Sequence, residues 1–102
     1  MVEVPIQDHF LRSSIDGANL AATVLRALDD GETVRIDFSG VEIMTPSFAN
    51  AFVMLLLERH EVPQLRERCE FLNRSDHVVC AMNRSVERYR QGIRLTTQRR
   101  PA

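Results

Sequence analysis

Lysine is absent from this 102-residue chain: all thirteen basic residues are arginine, which we read as compositional habit rather than chemistry. Long apolar runs are missing too. The longest, Ala51 to Leu57, falls far short of the ~20 residues that a membrane-spanning helix needs. The opening MVEVPIQDHF is acidic and places no basic region ahead of an apolar stretch, so no secretory signal is read and a cytoplasmic protein is expected. Glycine occurs four times, at positions 17, 31, 40 and 92, each isolated. Neither a phosphate-cradling loop nor a dinucleotide fingerprint can be assembled from such glycines. No serine sits in a GxSxG elbow, and the adjacent carboxylates Asp29-Asp30 lie where a helix should end. Cys69 and Cys80 form no CxxC, and His9, His60 and His77 are scattered rather than set at ligand spacing. The cysteines are expected to be reduced, with no metal and no cofactor. A nucleophile needs an oriented base beside it, and no such pair is visible, so the chain is not expected to be an enzyme.

What is present is an ordinary globular composition, 44% hydrophobic and 26% charged, which excludes a disordered or coiled-coil chain. The length fits one domain, expected over residues 1–98 with a basic end at 99–102. The net charge of −1 hides an asymmetry. Residues 1–65 carry four arginines against ten acidic residues, and residues 66–102 carry nine arginines against four. A basic C-terminal third suits an acidic partner, but only Tyr89 interleaves its arginines, and base stacking needs several aromatic platforms. Nucleic acid is therefore not an expected partner, and neither is a membrane.

Local patterns give alternating strands and helices. Val2 to Ile6 is β-prone and carries Pro5, which suits an edge strand. Ser13 or Asp16 can cap a helix with Leu20, Val24, Leu25 and Leu28 on one face, ended at Gly31. Thr33 to Phe38 alternates and is the clearest strand; Val41, Ile43 and Met44 continue an apolar pattern through the loop after it. Thr45-Pro46-Ser47 opens a second helix, Thr45 as cap and Pro46 in the first turn, with an exit at Glu58-Arg59-His60 before Pro63. Cys69 to Leu72 is a short strand. Ser75 or Asp76 caps a third helix bearing Val78, Val79, Met82, Val86 and Tyr89, which Gly92 stops. Ile93, Leu95 and Thr97 alternate as a last edge strand. Strands alternating with helices imply parallel pairing through right-handed crossovers.

The stretch VRIDFSGVEIMTPSFANAFVMLLL, Val34 to Leu57, carries a family likeness. A strand ending in Asp37-Phe38, a small loop with Gly40-Val41, and Ser47-Phe48-Ala49 opening a helix resemble STAS domains, the fold of bacterial anti-sigma factor antagonists. More closely, they resemble the bacterial STAS-like family of unknown function. The resemblance implies an α/β domain with a short, mostly parallel sheet and three flanking helices. It also implies a non-enzymatic regulator that binds a histidine-kinase-like ATPase or an anti-sigma-type protein. The antagonists carry Met-Asp-Ser-Ser-Gly in this loop, and a kinase phosphorylates the first serine. Here Met44 stands at the Met position, Thr45 at the Asp, Pro46 at the phosphorylated Ser, Ser47 at the second Ser and Phe48 at the Gly. Proline has no hydroxyl, so the candidate switch positions are Thr45 and Ser47.

The expected partner surface is the Gly40–Asn50 loop and the start of the second helix, with Gly40, Val41, Met44, Pro46 and Asn50 as its residues. Capping alone also explains Thr45, and a first-turn position alone explains Ser47. The second helix is apolar almost all round: beside the Phe48, Phe52, Leu55, Leu56 stripe, Asn50, Met54 and Leu57 fall on the other side. Met54 and Leu57 form either a partner or homodimer patch or a face covered by a neighbouring helix. Two other functions remain open: a small-ligand or nucleotide sensor using the helix N-terminus as an anion site, and a bare homodimerising module.

Overall fold

A computed structural model describes the backbone of residues 1–99 and the side chains of residues 1–92. The chain runs β1 (Val2–Pro5), β2 (Phe10–Leu11), α1 (Ser14–Asp29), β3 (Val34–Asp37), β4 (Ile43–Met44), α2 (Pro46–Arg59), α3 (Val62–Arg68), β5 (Cys69–Leu72) and α4 (Asp76–Arg99). β3 lies between β1 and β5 and is parallel to both; Ile36 stands opposite Val4 on one side and Phe71 on the other. Parallel neighbours need long crossovers, which α1 and the α2–α3 pair supply. Alternation along β3 buries Val34 and Ile36, while Arg35 turns outward to pair with Glu70 at 2.9 Å and Glu3 at 3.7 Å. Helices and core thus lie on one side of the sheet, and the opposite face is charged.

The core is aromatic at its centre. Phe38, Phe48 and Phe52 are fully buried, and the Phe71 ring meets Phe38 and Phe52 edge-on, with centroids 6.0 and 6.2 Å apart. α2 is packed on two flanks, by α1 and by α4, which accounts for a helix apolar almost all round. Against α1 the backbones touch. A methyl group on Gly17 would lie 2.5 Å from the Phe48 carbonyl oxygen and 3.2 Å from the Ala51 Cβ. Against α4 the contact has a polar anchor: the buried Ser85 hydroxyl donates to Asn50 Oδ1 at 2.7 Å.

Several ends form as their residues dictate. Ser13 accepts from the Asp16 amide and caps α1, and Gly31 beyond its end takes the left-handed φ of +81°. The Arg68 guanidinium donates to the Leu28 and Glu32 carbonyls, satisfying oxygens at the α1 terminus. Ser75 accepts from the Val78 amide at the start of α4.

Three features differ from expectation. The described residues hold four helices rather than three, because Pro63 lies in the first turn of a new helix, with the Glu61 and Gln64 side chains forming a capping box. Gly92 does not stop the last helix, which continues to Arg99, so Ile93 to Thr97 is helix and not an edge strand. An isolated glycine costs a helix only about 1 kcal/mol relative to alanine and is no stop by itself. The apolar loop residues Ile43 and Met44 form a two-stranded parallel sheet with Phe10 and Leu11, which strands of two residues are too short to announce by alternation. Of the basic end at 99–102, residues 100–102 lie outside the described residues.

Two predictions follow from this packing. Gly17→Ala gains helix propensity but drives a methyl into a backbone carbonyl that has no rotamer to yield. We expect a net loss of about 1–2 kcal/mol by denaturant unfolding; equal or greater stability would show that the helices do not approach this closely. At the end of β3, Asp37 accepts from the Asn73 side-chain amide at 3.0 Å and the Ser39 backbone at 2.9 Å, bonds that hold its carboxyl below the ordinary 3.8. A lowered folded value means stabilisation that is complete above the unfolded value and fades as pH falls through the folded one. The advantage of wild type over Asp37→Asn should therefore hold from neutral pH to about pH 5 and close at lower pH. An advantage that persists to about pH 2 would exclude ionisation as its source.

Candidate functional site

Thr45 makes four hydrogen bonds and organises the start of α2. Its amide donates to the Leu11 carbonyl at 2.9 Å, and its hydroxyl donates to the Arg12 carbonyl at 2.7 Å. The same hydroxyl accepts from the Phe48 amide at 3.2 Å, and the Thr45 carbonyl accepts from Ala49 at 3.0 Å. The first two bonds tie the helix to the end of β2 and to Arg12 just after it; the last two begin the helix.

The loop ahead of it is fixed by two histidines. The Glu42 and Ile43 amides both donate to the His9 carbonyl, and His9 Nδ1 donates to the Gly40 carbonyl at 2.7 Å. The Met44 amide donates to His77 Nε2 at 3.0 Å, which places the neutral ring's proton on Nδ1. A cavity of about 410 Å³ opens beside this loop, with Pro46 on one side and His77, Cys80, Arg84 and Arg88 on the other.

The expected surface residues separate into two groups. Gly40, Pro46 and Ser47 are exposed, and the Ser47 hydroxyl has no partner among the described residues. Val41 and Met44 are instead buried at 6% and 1% exposure, where their side chains pack in the core rather than meet solvent. Asn50 is half-buried and occupied, accepting from Ser85 and, at 3.4 Å, from Arg88. Met54 and Leu57 are half-buried, and Leu57 lines a groove against α4 rather than an open face. Thr45 is half-buried with its hydroxyl committed in both directions.

Sequence patterns missed the apolar part of this surface. Phe10 and Ile43 are paired neighbours in the β2–β4 sheet, 47% and 40% exposed, and the Arg12 guanidinium lies 5.0 Å over the Phe10 ring. Ile15, in the first turn of α1, is 72% exposed. The one available signal was composition: large apolar residues in a segment too short to bury both faces.

Few backbone amides at the start of α2 are left for an anion. Pro46 has no amide hydrogen, Thr45 already caps Phe48, and Ala49 bonds within the helix. Ser47 thus carries the one first-turn amide without a protein acceptor among the described residues. No three His, Cys, Asp or Glu side chains among the described residues stand together as a metal site would require. No described helix is long and apolar enough to cross a membrane.

No curated protein and no solved structure matches the chain. A family model does: that of the STAS-like domain of unknown function (DUF4325), over residues 16–79, from the first turn of α1 to the first turn of α4. The matched stretch takes in β3, the loop and the whole of α2, more than half of the chain, and the protein therefore belongs to this STAS-like family.

Proposed function

We propose that this protein is a non-enzymatic cytoplasmic regulator that binds a partner protein through the start of α2, with Ser47 as the switch. One observation carries the reading: an exposed apolar pair, Phe10 and Ile43, is held beside α2, where Ser47 presents an uncommitted hydroxyl. Docking on such a patch removes apolar surface from water, which favours association. A phosphate on Ser47 adds nearly two negative charges at pH 7, and burying them against a partner opposes that docking. Thr45 is a poor acceptor by comparison, since modifying its hydroxyl breaks two bonds at the helix start. The resemblance to anti-sigma factor antagonists supports a histidine-kinase-like ATPase or anti-sigma-type protein as the partner, with the acceptor hydroxyl one residue further along at Ser47. The Met54 and Leu57 side of α2 gives a homodimer less to work with, because α4 packs on that flank. Both cysteines are free thiols, as a reducing compartment keeps them.

The test is affinity capture from native cell extract with mass spectrometry of the eluate, comparing wild type, Ser47→Ala, Ser47→Asp and Ile43→Glu. An ATPase-type kinase or sigma regulator should appear with wild type and Ser47→Ala and be lost with the other two. The same eluate from all four baits would sink the proposal. Stability separates the two hydroxyls in parallel. Thr45→Val should cost about 1–2 kcal/mol through the lost cap, whereas Ser47→Ala should stay within about 0.5 kcal/mol of wild type.

A further inference from the structure

The sheet ends at β5, but its core face does not end there. Beyond Cys69 and Phe71 the space between α2, α3 and α4 stays open as a groove of about 410 Å³. That volume lies within the roughly 300–1,000 Å³ of small-molecule sites. Its floor is the buried apolar set Val53, Leu56, Leu65, Cys69 and Met82. Burial pushes the Cys69 thiol up, so it stays protonated and the floor is uncharged at neutral pH. Around this floor stand Arg66 from α3, Arg74 from the turn before α4, and Arg90 from α4, against a single acid, Glu87. None of these three arginines has an ion-pair partner among the described residues, whereas Arg35 and Arg59 elsewhere are paired with carboxylates. Arg74 is held over the floor, its guanidinium 5.6 Å from the Phe71 ring centroid and 3.9 Å from the Met82 sulfur.

The groove shares Leu57, Val62 and Arg90 with a second hollow of about 420 Å³ that reaches His60, Tyr89 and a second acid, Glu61, so the arginines still outnumber the carboxylates by three to two. There the His60 Nε2 atom is buried and has no hydrogen-bond partner. An apolar trough with a net positive rim and a polar group at its far end selects its occupant by charge. A cation meets three arginines. A neutral hydrocarbon leaves them without a counter-ion. We propose that this groove binds an amphipathic anion, a free carboxylate on an aliphatic chain, the carboxylate paired with Arg66, Arg74 or Arg90 and the chain laid along Val53, Leu56 and Leu57. Bidentate arginine–carboxylate pairing gives the head group its specificity, and removal of the chain from water supplies the remaining drive. The site lies at the opposite end of α2 from Ser47 and does not rest on the regulatory reading above.

The probe is decanoate below its micelle concentration, titrated by calorimetry and followed by methyl NMR, with decanol and decyltrimethylammonium as comparators. Saturable binding of one decanoate per chain is expected, with shifts at Val53, Leu57, Leu65 and Met82. Affinity should fall about tenfold or more in Arg66→Ala/Arg90→Ala, whose replaced side chains are exposed, and weaken with salt. Decanol binding as tightly as decanoate would overturn the proposal, as would an unchanged affinity in the double variant or shifts confined to Phe10 and Ile43. Failure of decanoate together with binding of an acidic amphipathic peptide would overturn it in favour of a peptide groove.

Discussion

The structure depends on one side chain doing two jobs. The Thr45 hydroxyl is at once the cap of α2 and the tether of α2 to the Arg12 carbonyl. A cap alone would start the helix without fixing where it starts relative to the rest of the molecule. Because the donor half of the same hydroxyl reaches Arg12, in the segment between β2 and α1, the two helices begin close to one another. The close approach at Gly17 then follows: α1 and α2 pack together along their first turns, where a Cβ on Gly17 would lie 2.5 Å from the Phe48 carbonyl oxygen. Only a residue without a side chain fits there, so the tether and the glycine are two parts of one constraint.

A one-sided sheet makes that constraint consequential. Parallel strands are usually covered on both faces; here the outer face carries Glu3, Arg35 and Glu70, and the apolar burial is gathered on the other side. α2 is therefore the centre of the helical layer, held by α1 on one flank and α4 on the other. Asn50 and Ser85 set its register against α4, since a misaligned pair would leave a buried hydroxyl unsatisfied, at a cost of about 1–3 kcal/mol. The helix is fixed at its start and along both sides.

Legibility in the sequence followed the length over which each residue acts. The β3 alternation, the Thr45-Pro46 start and the left-handed Gly31 each depend on neighbours a few positions away, and each formed where its residues indicate. The β2–β4 pair did not announce itself, because Phe10 meets Ile43 across 32 intervening positions, with His9 and Thr45 bonding the two segments together. Pro63 was ambiguous for a local reason: proline ends one helix and opens another with equal facility. Gly92 misled because its cost within a helix is small beside what neighbouring turns contribute. The candidate surface was half legible. Gly40, Pro46 and Ser47 are exposed, but Val41 and Met44 turn into the core, and Phe10, from a distant part of the chain, is exposed beside Ile43 instead.

The same rigidity determines how a charge at Ser47 can act. Ser47 sits one residue from Phe48, whose ring is fully buried and whose backbone is bonded to Thr45 and packed on Gly17. Close-packed cores yield little to a surface group, and Ser47 itself bonds to nothing that a phosphate would release. A switch at this position, as proposed above, would have no bistable element to throw and would work by direct opposition to a docked partner. This separates the start of α2 from its far end, where a groove of about 410 Å³ opens between α2, α3 and α4. One end of α2 is over-determined and presents a fixed surface. The other borders a groove whose apolar floor, Val53, Leu56 and Leu65, lies beside the last strand.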